Sequence, residues 1–324
     1  MAIEDRAAPE EIRIANAATY WPFAPTDVVL AAPLAVRLLL GASPVGRVVQ
    51  AAAFGAYVGS ALQDWAARRG VRKIDFLREF GADVRHLTPM PRETRDEEIR
   101  ILTTRLNDEF TPDRIARREL AVEVDRHLTR YIASITGQRV QTSTEVRSFS
   151  LAGVFFPFAL GACDFVSGDV TVFRDLGVFE PHIIAHEFCH RKGYWKELEA
   201  QILAYLSLAS SGEPVLVQSA LCERLHRHWR AIFGDDRAAF REHVERSTLR
   251  RELRKDFVEL ERGGSSSGAT KEVERFMRGL YDQRMRLTGQ NGISDYDVGF
   301  TNFLYTFENS ATARQKPPPA GTVR

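Results

Sequence analysis

The chain has 324 residues, 44% of them hydrophobic and 27% charged, with a formal net charge of +1. A chain of this length and apolar content can bury a sizeable core, as two domains or as one domain with an N-terminal extension. Near-neutrality excludes a general electrostatic pull toward nucleic acid or acidic substrates. The three cysteines, Cys163, Cys189 and Cys222, contain no CxxC pair and are too scattered for a disulfide framework. Their odd number fits a reducing compartment.

The first residues, Met1-Ala2-Ile3-Glu4-Asp5-Arg6, are acidic where a secretory signal is basic and then apolar. Export by that route is not expected, which points to the cytoplasm or the cytoplasmic face of a membrane. Residues 28 to 62 are apolar but interrupted, by Pro33 and Arg37 in one stretch and by Arg47 and Gln50 in the next. A span needs about 20 mostly apolar residues, and an arginine at mid-depth costs roughly 2.5–3.5 kcal/mol. Contact through 28–62 would therefore be with a membrane surface, as re-entrant or interfacial helices. The basic residues Arg68, Arg69, Arg72 and Lys73 would hold the catalytic domain on the cytoplasmic side, or simply form a solvated helix end.

Residues 1–92 thus read as an N-terminal apolar helical region, 93–310 as the catalytic domain and 311–324 as a disordered, proline-rich tail. Residues 93 to 136 read as two helices broken near Thr111-Pro112. In the second, Ile115, Leu120, Val124, Leu128, Tyr131, Ile132 and Ile135 recur at helical spacing. His127 on this helix reads as structural. Strand signals come next, at Val140–Phe149, Leu151–Phe158 and Val170–Phe173. A small sheet here, just before the next helix, could take an extended peptide along its edge. The expected fold class is α+β, mostly α-helical.

That next helix carries His186-Glu187-Phe188-Cys189-His190, an HExxH pattern. Residues i and i+4 share a helix face, so both imidazoles can reach one zinc ion while Glu187 points at its open side. Pro181 suits the first helical turn, and Gly193 a left-handed cap after the last. Ile183, Ile184 and Phe188 would be the buried stripe, with the Cys189 thiol packed away from the metal.

A catalytic zinc usually takes three protein ligands. Lys196 stands where an extended HExxHxxGxxH pattern has its third histidine, and an ammonium cannot ligate. The helix-forming run from Glu197 to Leu206 would bring a carboxylate instead, with Glu199 the preferred ligand and Glu197 the alternative. His226, His228, Tyr194 and Tyr205 are open candidates for oxyanion stabilisation.

The sequence His-Glu-x-x-His-x-x-Gly followed by Glu-Ala-Gln-Ile-Leu-Ala-Tyr-Leu resembles an uncharacterised bacterial family of predicted membrane-associated zinc peptidases. In that family a Glu-Ala-Asn/Gln motif comes after the zinc helix at this distance. Gly153–Phe158 and Gly289–Tyr296 match it more weakly, and the resemblance covers about residues 145 to 310. It implies a zincin-like domain with Zn2+ on His186, His190 and Glu199, and Glu187 as catalytic base. The family usually begins with clear membrane-spanning helices, where this chain has a borderline apolar region.

The leading expectation is a zinc-dependent metallopeptidase acting on peptide or protein substrates. A zinc-bound but inactive binding module is a second reading, disfavoured by the retained Glu187. A helical scaffold with an accidental HExxH is the third, and it predicts no stoichiometric metal. Downstream, Leu221–Arg230 reads as an amphipathic helix. Gly263–Gly268 reads as a linker, Glu272–Leu287 as a helix and Tyr296–Phe307 as a last apolar element.

Overall fold

The first strand in the chain is one the sequence patterns do not reveal. In the computed structural model, which describes residues 9–16, 39–40, 43–148, 159–164, 167–262 and 295–315 and isolated positions between 279 and 292, β1 spans Glu10–Arg13. It pairs in parallel with β2, Gln138–Gln141, placing Ile12 opposite Val140. Four residues with a single apolar member carry no alternation to read, so tertiary pairing alone makes this strand.

Between these strands run α1 (Pro44–Arg68), α2 (Phe76–Phe80), α3 (Arg92–Asp108) and α4 (Arg117–Thr136). The break near Thr111-Pro112 falls between α3 and α4, as expected. On α4, Leu120, Val124, Leu128 and Ile132 are buried, while Tyr131 and Ile135, with Ile115 just ahead of the helix, pack at the margin. Gly137 ends the helix in the left-handed region at φ 66°, a conformation a side chain would strain. His127 is buried on α4, its ring beside Arg126.

The strand expected over Val140–Phe149 stops at Gln141. Beyond it the carbonyls of Ser143 and Glu145 accept from the Arg191 guanidinium at 2.7 and 2.8 Å instead of from a neighbouring strand. β3 (Gly161–Cys163) and β4 (Val170–Val172) form an antiparallel pair, Ala162 opposite Thr171. Arg147 bridges to Thr171 of β4. The strand expected at Leu151–Phe158 lies outside the described residues, as do the Gly263–Gly268 linker and most of Glu272–Leu287.

The rest is helical: α5 (Glu180–Arg191), α6 (Glu197–Ala209), α7 (Pro214–Phe233), α8 (Arg237–Arg246), α9 (Arg251–Arg262), α10 (Asp295–Asn309) and α11 (Ala311–Gln315). The fold is α+β and mostly α-helical, with its small antiparallel pair immediately before α5. Helix α5 packs against α6, α6 against α7, and α10 against α7, while α4 lies across both α5 and α6. One contiguous core runs from Ile14 and Val71 through Ile184, Phe188, Ile202 and Trp229 to Phe307. Burying a side chain such as Leu or Phe is worth about 1.5–3 kcal/mol, so this core dominates the stability.

One further point differs from expectation. The segment Ala311–Gln315, placed in a disordered tail, is helical because Ser310 caps it: its hydroxyl accepts from Ala313 N–H and donates to the Phe80 carbonyl. Helix α1 leaves Val45, Val48, Val49, Leu62 and Trp65 exposed. No helix among the described residues is long and apolar enough to cross a membrane.

Candidate metal centre

Helix α5 enters from a tight turn, Gly177–Phe179, that the sequence shapes in two ways. Gly177 adopts φ 56°, and a Cβ there would lie 2.2 Å from Asp256, whose carboxylate accepts the Val178 N–H at 2.8 Å. Glycine is the residue that permits this approach. Pro181 then occupies the first helical turn. Arg117 pins that turn to α4 by a forked pair with Glu180 at 2.6 and 2.9 Å. Ile184, Ala185, Phe188 and Cys189 are fully buried, which fixes the helix's rotation and turns the opposite stripe toward α6. The Cys189 thiol packs in the core, where burial pushes its pKa up, so it is inert.

That stripe brings three donor atoms together. His186 Nε2 lies 3.1 Å from Glu197 Oε2, His190 Nε2 3.2 Å from the same oxygen, and the two Nε2 atoms 3.1 Å from each other. A zinc ion bonded at about 2.0–2.1 Å to two imidazoles and a carboxylate in tetrahedral order holds its ligand atoms about 3.3 Å apart. The three atoms present fit such an ion closely, with a fourth position left for water or substrate. They are the group among the described residues suited to holding a metal.

The imidazole of His190 is aimed as a ligand. Its Nδ1 sits 2.8 Å from the Tyr194 carbonyl, to which it can only donate. In the neutral ring the lone pair is therefore on Nε2, facing His186 and Glu197. The Trp195 indole stacks on the same ring, centroids 5.8 Å apart and planes within 5°. Burial would depress the His190 pKa, but the Glu197 carboxylate overrides it and raises it to about 9. Glu197 is correspondingly held well below the usual carboxylate range by the two imidazoles, against the pull of its own burial.

Glu187 stands apart from the three donors and next to the sheet. Burial raises its pKa, opposed by the two histidines and by a hydrogen bond from the Cys163 backbone of β3. Gly161 passes so close that an added Cβ would stand 3.2 Å from Glu187 Oε1. The β3 strand thus borders the Glu187 carboxylate.

His186, Glu187 and His190 lie on one short buried helix, as the sequence indicates, and the carboxylate brought to the two imidazoles is the alternative, Glu197, and not the preferred Glu199. Glu199 points away from the imidazoles and pairs with Lys196 Nζ at 2.7 Å near the surface. Glu197 takes its place. Helix α6 begins at Glu197, and both acids lie in its first turn. Two residues on a helix differ by about 200° in direction, so only one can face α5. The local sequence offers no signal for which.

The four oxyanion candidates are all committed elsewhere. Tyr194 Oη donates to the Arg72 carbonyl at 3.0 Å, and Tyr205 Oη accepts from Arg224 at 3.2 Å. His226 pairs with Glu261 at 3.0 Å and His228 lies 2.9 Å from Glu98. The supporting groups that matter, the Tyr194 carbonyl, the Trp195 ring and the Cys163 N–H, carry no side-chain pattern that sequence could have flagged.

No curated protein and no solved structure matches the chain. Residues 118–305, more than half of it and including α5 to α7 with most of α4 and α10, match the family described as "Protein of unknown function (DUF3810)". The chain belongs to that family.

Proposed function

We propose that the protein is a zinc-dependent metallopeptidase, a zincin-like hydrolase with His186, His190 and Glu197 as ligands and Glu187 as general base. The observation that carries the reading is the convergence of His186 Nε2, His190 Nε2 and Glu197 Oε2 at 3.1–3.2 Å. A separate buried carboxylate beside them supports a catalytic centre over a structural one, since a purely structural site needs no base.

Zinc held there would lower the pKa of its water to about 7 and polarise the scissile carbonyl. The remaining steps belong to the protein. Glu187, held at the β3 side by Cys163, is placed to accept the nucleophile's proton and to return it to the departing amine. Its burial raises its proton affinity toward that of a group that both takes and gives at neutral pH. The β3 strand is bonded to β4 along one side. Its other side offers main-chain groups next to Glu187, where an extended peptide could add as a further strand. Tyr194 and Trp195 keep His190 turned toward the donor set throughout.

The test is hydrolysis of an unbiased peptide library by the full chain. The reading expects cleavage that a chelator abolishes and stoichiometric zinc restores. Cleavage unaffected by metal removal would contradict it.

A further inference from the structure

His190 sits in the last turn of α5, where helix ends fray because their carbonyls have no partner within the helix. Here the Phe188, Cys189 and His190 carbonyls are met by the backbone N–H groups of Lys192, Tyr194 and Gly193, while the Arg191 carbonyl and the turn beyond it are met from outside by one short segment, the exit of α1. Arg68 Nε donates to the Arg191 carbonyl at 2.9 Å and Lys73 Nζ to the Gly193 carbonyl at 2.7 Å. The Tyr194 hydroxyl donates to the Arg72 carbonyl at 3.0 Å. Arg68 is itself buried and braced, its Nη2 donating to Asn16 Oδ1 at 2.7 Å and the Ser167 carbonyl at 3.2 Å. Gly193 takes φ 98°, which lets the chain turn sharply between these anchors.

The residue anchored in this way, Tyr194, presents the carbonyl that orients the ligand. The Tyr194 carbonyl accepts from His190 Nδ1, and Trp195 covers the His190 ring. Gly193 is fixed on one side of that carbonyl by Lys73, and the Tyr194 side chain is tied down by Arg72. Tyr194 is thereby anchored through both its preceding peptide and its side chain.

We propose that residues 68–73 form a clamp that positions the His190 imidazole through the Gly193–Trp195 turn, with Lys73 as its principal positioning residue. This rests on the metal-centre reading above. It extends the working site beyond residues 118–305, to a segment outside the family match. The two cations bind carbonyls at the C-terminal end of α5, where the helix dipole also favours positive charge. Loss of a partner that orients a ligand typically costs about 10–100-fold in metal affinity.

The experiment uses the full chain. Zinc affinity is measured by chelator competition, and cobalt is substituted to read ligand geometry from its visible absorption. For Lys73→Met, zinc affinity should fall about tenfold and the cobalt bands should shift, while the metal-free protein melts as the wild type does. Lys73→Arg, which keeps a donor for the Gly193 carbonyl, should restore both. Tyr194→Phe, which deletes only the hydroxyl, should give a smaller loss of affinity in the same direction. Wild-type affinity and superimposable cobalt spectra in both Lys73→Met and Tyr194→Phe would overturn the clamp. So would a loss of affinity that merely tracks a loss of folded protein. If the wild type bound no zinc, the failure would belong to the metal centre itself.

Discussion

Arg224 and His190 are both buried beside carboxylates, on helices of one bundle, and their charges are held on different terms. Arg224, fully buried on α7, donates to Glu98 of α3 at 2.7 Å and to Glu308 of α10 at 2.7 and 3.0 Å. Its guanidinium cannot give up its proton, and although burial opposes it, Glu98 is drawn down to about 2 chiefly by this partner. At His190 the balancing charge is the imidazole's own proton, held by the Glu197 carboxylate, and a proton can be exchanged for a metal ion. The first cluster ties three helices together permanently. On the proposed reading the second swaps its cation, which would be the difference between a structural node and a candidate centre of chemistry.

Replacing Glu187 by Gln is the sharpest way to exploit that contrast, because it leaves the three donor atoms and the Arg224 cluster in place. Peptide hydrolysis should fall by about 10²–10⁴-fold in steady-state assays, with zinc content and melting temperature unchanged. Retained turnover would remove Glu187 from the mechanism.

Arg224→Met probes the other cluster. It leaves the buried Glu98 and the half-buried Glu308 without their cation, which should cost about 3–5 kcal/mol in urea unfolding. The zinc affinity of the folded fraction should stay at the wild-type value. If stability were untouched, the permanent character claimed for this node would be wrong.

A smaller effect distinguishes the exchangeable cluster by pH. In the metal-free chain the folded state holds the His190 proton up to about 9, raised from an ordinary 6.5 against its own burial by Glu197. The stabilisation is complete below pH 6.5 and is lost as the pH rises toward 9. Thermal melts of the metal-free protein should therefore decline across that window, and the zinc-loaded protein, whose ligands carry no such proton, should lack the decline. Parallel profiles for the two forms would count against exchange at this site.

How much of this was readable in advance depends on which interactions are local. His186, Glu187 and His190 lie on one helix whose period fixes their spacing, so the pattern and the buried stripe beneath it were visible in the sequence. The break between α3 and α4 and the strand at Val170–Val172 were legible for the same reason. The choice between Glu197 and Glu199 was not, because it depends on the rotation of α6 against α5, set by contacts such as those of Ile202 and Leu203 in the core. The pairing of β1 with β2 spans more than a hundred residues, and no pattern in Glu10–Arg13 announces it. The Arg191 bonds that end β2 early, and the Arg68 and Lys73 bonds to the turn after α5, join side chains to distant backbone. Such partners have no residue identity for a pattern to find.

The central claim is that one zinc ion is held by two imidazoles and the carboxylate of Glu197. Metal content of the purified wild type measured beside Glu197→Ala and Glu199→Ala tests it most directly. One zinc per chain in the wild type and in Glu199→Ala, and its loss in Glu197→Ala, is the predicted result. Full zinc in Glu197→Ala, or none in the wild type after zinc loading, would contradict it.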